Sequence, residues 1–239
     1  METSVRLSLS QLSADFYRFH AKSFDESRQN PWDSWQQILK SIEAIASPRS
    51  VIDLGCGNGR FAAFLYEHLG LYEHQSGGIN YTGIDSEAQL INNAQHRYPS
   101  GQFYVESIES ALMRSENFHF LACFGVFHHL PGAQFRSEIF NRLENILIPG
   151  GIAAVSLWQP KRLKNFATKF VTKHDVEGLE ANDYLFGWKG DFSRLRYCHH
   201  FEDHEINDLV ANSPFQLVTE FQGVGNDQSN RYLVLQKPL

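Results

Sequence analysis

Val51-Ile52-Asp53-Leu54-Gly55-Cys56-Gly57-Asn58-Gly59 is the stretch that decides how this 239-residue chain is read. Its front, Ser50 to Leu54, is a short apolar run of the kind that forms a strand buried in a parallel sheet. Three glycines at alternate positions follow, and the pattern after them predicts a helix from Arg60 to about Leu69. Glycine at 55, 57 and 59 removes Cβ atoms, so the backbone can turn tightly and a ligand can approach the main chain. Two phosphate loops are excluded. The dinucleotide fingerprint G-x-G-x-x-G needs glycine where Arg60 stands, and G-x-x-x-x-G-K-[ST] is absent.

The same alternation continues downstream. Tyr81–Ile84, Gln102–Val105, Phe118–Phe124 and Ile152–Leu157 read as strands, with helices predicted at Ala88–Arg97 and Ala133–Leu147. Pro149-Gly150 ends the second of these helices. Strands that alternate with helices imply a parallel sheet covered on both faces. Upstream, Phe16 to Phe24 is the first readable element. Trp35, Ile38, Leu39, Ile42 and Ile45 then recur at helical spacing between Trp32 and Ala46, and Ser47-Pro48 stops that helix. About forty-five residues after Trp158 carry no clean periodicity. A helix at Glu202–Ala211 and an antiparallel pair, Gln216–Phe221 with Tyr232–Gln236, close the chain.

Composition bounds the function. With 42% hydrophobic and 20% charged residues, the chain can bury a real core, which excludes a disordered tail, a coiled coil or a collagen-like rod. No membrane span or signal peptide is read, so a cytoplasmic protein is expected. Cys56, Cys123 and Cys198 are too few and scattered for a disulfide framework or zinc cage. Cys56 reads as a small residue in a tight turn. His128-His129 has no third ligand at close spacing, and no metal is expected. The net charge of −6 offers no whole-chain argument for a nucleic-acid partner.

Asp-x-Gly-x-Gly-x-Gly at 53–59 resembles the first motif of class I S-adenosylmethionine-dependent methyltransferases. The resemblance implies a Rossmann-like α/β fold, with a seven-stranded mostly parallel sheet, helices on both faces and an antiparallel last strand. It also implies S-adenosyl-L-methionine as cofactor and S-adenosyl-L-homocysteine as product. Residue by residue, it carries cofactor binding onto Asp53, Gly55, Cys56, Gly57, Asn58 and Gly59. Asp85 and Ser86 follow the second strand, where an acid holds the ribose hydroxyls. Ser107 and Ile108 follow the third, on the adenine side. Cys123 and Phe124 open toward the methyl-transfer pocket. Pro149-Gly150-Gly151 before the fifth strand is also typical of the family.

Other segments resemble a narrower family, the tRNA methyltransferases that esterify 5-carboxymethyluridine at the wobble position. Phe24-Asp-Glu-Ser-Arg-Gln-Asn-Pro-Trp32 is similar to its F-[SD]-x-[ST]-R-x-x-P-W, and Val126-Phe-His-His-Leu130 to its V-I-H-H-[FL]. Trp158, Leu185-Phe-Gly-Trp188, Arg196-Tyr-Cys-His199 with Phe201, Gly225-Asn-Asp227 and Asn230-Arg-Tyr232 extend the likeness over about residues 16–238. Cys198 for tyrosine, Gly187 for proline and His119 where the fourth strand usually begins Phe-Asp depart from it. The resemblance implies tRNA, through its anticodon region, as partner, and a small activating subunit as some relatives require. It gives substrate-side candidates Arg28, Trp32, His129, Trp158, Trp188, Arg196, Tyr197 and His199, with no catalytic triad.

Chemistry supports these choices. Arginine suits a bidentate carboxylate clamp, and aromatic rings stack on unstacked bases. Lys161, Arg162, Lys164, Lys169 and Lys173 give Trp158–His174 a local charge of +5, a stretch that can contact phosphates. A carboxylate acceptor is already ionised at neutral pH, so a strong general base is not required. Two alternatives remain open: a small-molecule O- or N-methyltransferase, favoured by a pI near 6.0, and a non-catalytic adenosylmethionine-binding subunit. The expected organisation is one methyltransferase domain over 1–239. It comprises an N-terminal helical lead-in (1–49), a cofactor-binding core (50–157), a substrate-side insertion (158–204) and a C-terminal helix with a strand pair (205–239).

Overall fold

The computed structural model describes residues 1–45, 49–69, 79–168, 170–171 and 177–239. Two helices, α1 (Thr3–Ser27) and α2 (Trp35–Glu43), precede strand β1 (Arg49–Leu54). There follow α3 (Arg60–Leu69), β2 (Ile79–Asp85), α4 (Ala88–Arg97), β3 (Gln102–Val105), α5 (Ile108–Ala111), β4 (Phe118–Cys123), α6 (Ala133–Arg142) and β5 (Leu147–Trp158). The chain then forms β6 (Phe170–Val171), β7 (Asp183–Trp188), β8 (Asp191–His199), α7 (Asp203–Ala211), β9 (Gln216–Gln222) and β10 (Asn230–Gln236). The main sheet has seven strands in the order β3-β2-β1-β4-β5-β10-β9. β1 pairs in parallel with both β2 and β4, whereas β10 runs antiparallel to β5 and β9.

Strand alternation distributes the core onto two faces. Ile52, Leu54, Leu121, Cys123, Leu233 and Leu235 join one buried cluster with Phe140 and Leu143 of the α6 region. Val51, Phe120, Ala122, Tyr232 and Val234 join the other, with Trp35, Ile38, Phe61 and Phe64 from α2 and α3. The reversal of strand order beside β1 opens a crevice at the carboxyl ends of the parallel strands, the usual ligand position in such sheets.

Several sequence expectations need correction. α1 starts at Thr3 rather than near Phe16. Its amino-terminal half is serine-rich, and the buried positions Leu9, Ser13, Phe16 and His20 show helical spacing only when Ser13 is counted. α2 spans less than the expected Trp32–Ala46; Ala46 and the Ser47-Pro48 stop lie outside the described residues. α6 ends at Arg142 and tightens into a 3-10 turn over Leu143–Ile146. Pro149-Gly150-Gly151 lies within β5, where the register to β4 shifts between Phe118 and Phe120. The segment after Trp158 is not irregular throughout its described residues. β6, β7 and β8 form a separate three-stranded antiparallel sheet. Its central hairpin turns through Lys189-Gly190, both at positive φ (50° and 86°), as a tight two-residue hairpin requires.

Candidate active site

A cavity of about 930 Å³ opens between the carboxyl end of the parallel strands, α1 and the β7–β8 hairpin. The glycine turn forms one wall. Gly55, Gly57 and Gly59 all have positive φ, a region where a Cβ is strained. A side chain on Gly55 would collide with Val126, whereas above Gly57 the nearest atom to a hypothetical Cβ is a Phe24 carbon 4.0 Å away. The backbone N–H groups of Gly55 and Cys56 donate to the Ile84 carbonyl at 2.8 and 2.9 Å, tying the turn to the end of β2.

Asp85 closes this wall. Its Oδ2 accepts from Gly57 N–H and its Oδ1 from Glu87 N–H, both at 2.9 Å. A carboxylate oxygen can accept more than one hydrogen bond, so both oxygens keep acceptor capacity for a ligand. Burial raises the Asp85 carboxyl above its ordinary range, opposed by those backbone donors. Asp53, under the turn, accepts from Tyr81 Oη at 2.6 Å, and burial pushes its pKa up to about 7. Ser86, Ser107 and Ile108 also line the cavity. Ser107 Oγ caps α5 by accepting from Ser110 N–H at 3.2 Å, which fixes the turn after β3.

The opposite wall comes from α1 and β8. His129 Nδ1 lies 2.8 Å from the Tyr197 carbonyl oxygen, and its Nε2 lies 2.7 Å from Tyr17 Oη. A carbonyl only accepts, so Nδ1 carries the proton and Tyr17 donates to Nε2. Burial, with Arg196 adding to it, lowers the His129 pKa to about 3, and burial pushes the Tyr17 hydroxyl up to about 12. Both are neutral near pH 7. The Arg196 guanidinium is buried against Phe16 and Trp188, 4.8 and 5.4 Å from their ring centroids. Its Nε and Nη1 atoms have no hydrogen-bond partner among the described residues. Arg28 lies over Phe24 and Trp188 at 5.1 and 5.6 Å. Neither arginine forms an ion pair with a described acidic residue.

Most of the expected site residues meet at this cavity: Arg28, Trp32, His129, Trp158, Trp188 and Arg196 on one side, Asp53, Gly55, Cys56, Gly57, Asn58, Asp85, Ser86, Ser107, Ile108 and Phe124 on the other. Four do not. Alternation along β8 sends Tyr197 and His199 to the face opposite Arg196. There the Tyr197 hydroxyl donates to Asp183 at 2.6 Å, and His199 bonds Asp183 and Glu205 at 2.7 and 3.0 Å. Both side chains are corrected from acceptor contacts to parts of a buried polar network that includes Arg136. Cys123 is buried in the core, and Gly59 packs against Tyr98 and Ala94.

The +5 stretch is partly neutralised. Lys161 bonds Glu202 at 2.6 Å and Asn182 at 2.7 Å, and Arg162 lies 4.0 Å from Asp203. Lys164 is exposed, while Lys169 and Lys173 lie outside the described residues. The fold also supplies a third group to His128 and His129 that spacing hid, since Cys198 Sγ comes within 4.8 Å of their ligand atoms. The donor set disfavours a cation: both His129 nitrogens are engaged, the thiol is pushed up to about 11, chiefly by burial, and Arg196 is adjacent.

Site residues missed from sequence include Tyr17, Phe24 and Arg60, all on the cavity wall. Phe24 sits inside the motif that yielded Arg28 and gave a usable signal. Tyr17 occupies the same helical stripe, one turn and three residues before it. In the sequence Arg60 stands out only as the residue that breaks a dinucleotide fingerprint; in the fold it lies over Trp32 at 5.0 Å.

Comparison with known proteins agrees with this geometry. Residues 51–151 match the family described as Methyltransferase domain. An archaeal S-adenosylmethionine-dependent methyltransferase from Methanosarcina mazei superposes with a TM-score of 0.64 at 20% identity, covering 88% of this chain and 99% of its own. Sheet order and glycine turn are those of the class I S-adenosylmethionine-dependent methyltransferase fold, and residues 51–151 carry the match to a methyltransferase domain. Within that class it is similar to the mouse tRNA (carboxymethyluridine(34)-5-O)-methyltransferase ALKBH8, 27% identical over 65% of this chain. The match spans only 21% of that relative's length. The Schizosaccharomyces pombe tRNA (carboxymethyluridine(34)-5-O)-methyltransferase is 22% identical over 91% of this chain and 92% of its own. Trans-aconitate 2-methyltransferase of Rhizobium leguminosarum is 32% identical over 56% of this chain and 46% of its own. No helix among the described residues is long and apolar enough to cross a membrane.

Proposed function

We propose that the protein methylates a carboxylate, forming the methyl ester of the carboxymethyl group on a tRNA wobble uridine. One observation carries the reading: Arg196 lines the cavity, its buried guanidinium leaves Nε and Nη1 without a hydrogen-bond partner, and no described acidic residue neutralises it. Leaving charged donors unsatisfied in a buried site is costly, and an anionic ligand removes that cost. Arg28 on the same wall provides a second cation.

The glycine turn fits an adenosylmethionine ligand, because Gly57 leaves open space where a Cβ would stand and Asp85 retains acceptor capacity for a pair of hydroxyls. Gly55 to Gly57, Asp85, Ser86 and the Ser107-Ile108 turn would hold it. When bound, S-adenosylmethionine supplies an electrophilic sulfonium methyl group and leaves as the neutral thioether. Arg196 and Arg28 would fix the acceptor carboxylate by charge-assisted hydrogen bonds. That orientation, with water excluded by Trp188, Phe24 and Trp158, is the main catalytic contribution expected. An already ionised acceptor carboxylate held by Arg196 and Arg28 would need no proton removed by this chain before methyl transfer. Neutral His129 therefore serves to hold Tyr17, and neither acts as a base.

A second reading, a small-molecule carboxylate O-methyltransferase, is favoured by the similarity to trans-aconitate 2-methyltransferase. An acceptor panel separates the two. tRNA bearing carboxymethyluridine should accept label from S-adenosylmethionine, and its turnover should fall steeply with salt. Label entering only small polycarboxylic acids would favour the second reading and overturn the first.

A further inference from the structure

Beside the cavity, where Phe192 and Lys189 reach its lining, α1 and the β7–β8 hairpin carry an exposed strip that the methyl-transfer reading does not use. Phe19 on α1 is 61% exposed and Phe192 on β8 is 42% exposed. Large rings in water are unremarkable singly, but here the exposed Phe19 and the buried Trp188 at the base of the hairpin each sit beside a cation. Arg194 lies 5.4 Å from the Phe19 centroid, and Lys189 lies 5.6 Å from that of Trp188. Phe192, Arg194 and Arg196 occupy alternate positions of β8, so they share one face of the strand. Arg196 and Phe192 both line the cavity. The face thus runs without interruption from the buried guanidinium to solvent.

The hairpin holds its charge outward in a strained conformation. Lys189 has φ +50°, although glycine or asparagine suits that position better. The acidic group at the tip, Asp191, accepts from Ser193 N–H at 2.8 Å. Across the strip, Lys189, Arg194 and Arg28 leave a positive excess on a chain whose net charge is −6.

We infer that Phe19, Arg194, Phe192 and Lys189 form a binding surface for single-stranded RNA, taking the nucleotides that flank the methylated residue. The inference rests on the tRNA reading above and adds where the strand lies. Bases stack on Phe19 and Phe192, and phosphates lie along Arg194 and Lys189. Rings interleaved with cations are what sequence-tolerant single-strand binding requires. A protein partner would more naturally meet a continuous apolar patch.

The test measures binding of a short anticodon stem-loop RNA by fluorescence anisotropy. F19A should weaken binding about tenfold, the loss of one stacked base, and F19W should restore it. R194A should weaken binding and reduce the salt slope by about one phosphate contact. Phe19 and Arg194 are exposed, and unchanged thermal unfolding confirms that the variants fold. Wild-type affinity in F19A and R194A, a failure of F19W to restore binding, or no RNA binding by the wild type would each overturn the proposal. Ester formation by the wild type on the same RNA bearing carboxymethyluridine is scored separately. Its absence, with binding lost in F19A, sinks the reaction and leaves the surface standing.

Discussion

Asn58 in the glycine turn donates its side-chain amide to Asp25 Oδ1 at 2.7 Å, latching the carboxyl end of α1 to the wall proposed to hold the cofactor. The same amide donates to the Arg28 carbonyl oxygen at 3.0 Å. Asp25 in turn receives two hydrogen bonds from Arg97, at 2.6 and 2.7 Å, and one from Asn93 at 3.1 Å. One buried carboxylate thus couples α1, the glycine turn and α4, and it sets the backbone that carries Arg28.

Breaking that latch should be felt on both sides of the cavity. Asp25→Ala leaves Arg97 half-exposed and not stranded, so the expected loss of stability is moderate, about 1–3 kcal/mol. Adenosylmethionine affinity should weaken and the acceptor KM should rise together. Calorimetric titration and steady-state kinetics on the one variant check both. A change in only one would break the coupling argument.

Arg196→Lys keeps the charge and removes the planar fork. The acceptor kcat/KM should fall about 10- to 100-fold, the range of one or two charge-assisted hydrogen bonds. Cofactor affinity should stay at the wild-type value. Kinetics with the acceptor varied, beside a cofactor titration, give the answer.

Tyr17→Phe removes the donor to His129 Nε2. The variant should lose kcat several-fold and about 1–3 kcal/mol of stability, since a buried acceptor is left unsatisfied. The pH profile should keep its shape between pH 6 and 9. His129, held near pKa 3, and Tyr17, near 12, are neutral throughout that window. A new or displaced limb in the variant would show that one of them moves a proton.

Asp53 gives a stability signature of opposite sign to an ordinary paired carboxylate. Its folded pKa of about 7 exceeds the usual value of 3.8. Between these values the folded state binds more protons than the unfolded state, so this group's contribution falls as pH rises and levels off above 7. The full shift corresponds to roughly 4 kcal/mol as an upper bound. Asp53→Asn should flatten that part of the curve. Chemical denaturation of both proteins across pH 4–8, without cofactor, measures the difference.

The fold and the glycine wall of the cavity were legible in the sequence because they rest on local rules. Glycines at alternate positions after an apolar run and an acid at the end of the next strand are each read within a few residues. The acceptor wall depends on which way side chains point on an inserted sheet. Arg196 and Tyr197 are neighbours in sequence, yet strand alternation puts one in the cavity and the other in a buried network with Asp183. The alternation was hidden because the β7–β8 hairpin turns at Lys189, an unusual residue at positive φ, and both faces of β8 mix polar with apolar side chains. Tyr17 was missed for a related reason. Its partner His129 is 112 residues away, and only the folded α1 brings them together.

The measurement closest to the central claim is direct analysis of the product. tRNA bearing 5-carboxymethyluridine is incubated with methyl-labelled S-adenosylmethionine and the protein, then digested to nucleosides and resolved by mass spectrometry. The predicted result is a single labelled nucleoside, heavier by one methyl group, that mild base converts back to unlabelled carboxymethyluridine, as an ester must. A folded, cofactor-bound protein that leaves the carboxymethyl group unmodified, or places the label on a base-stable position, would contradict the account.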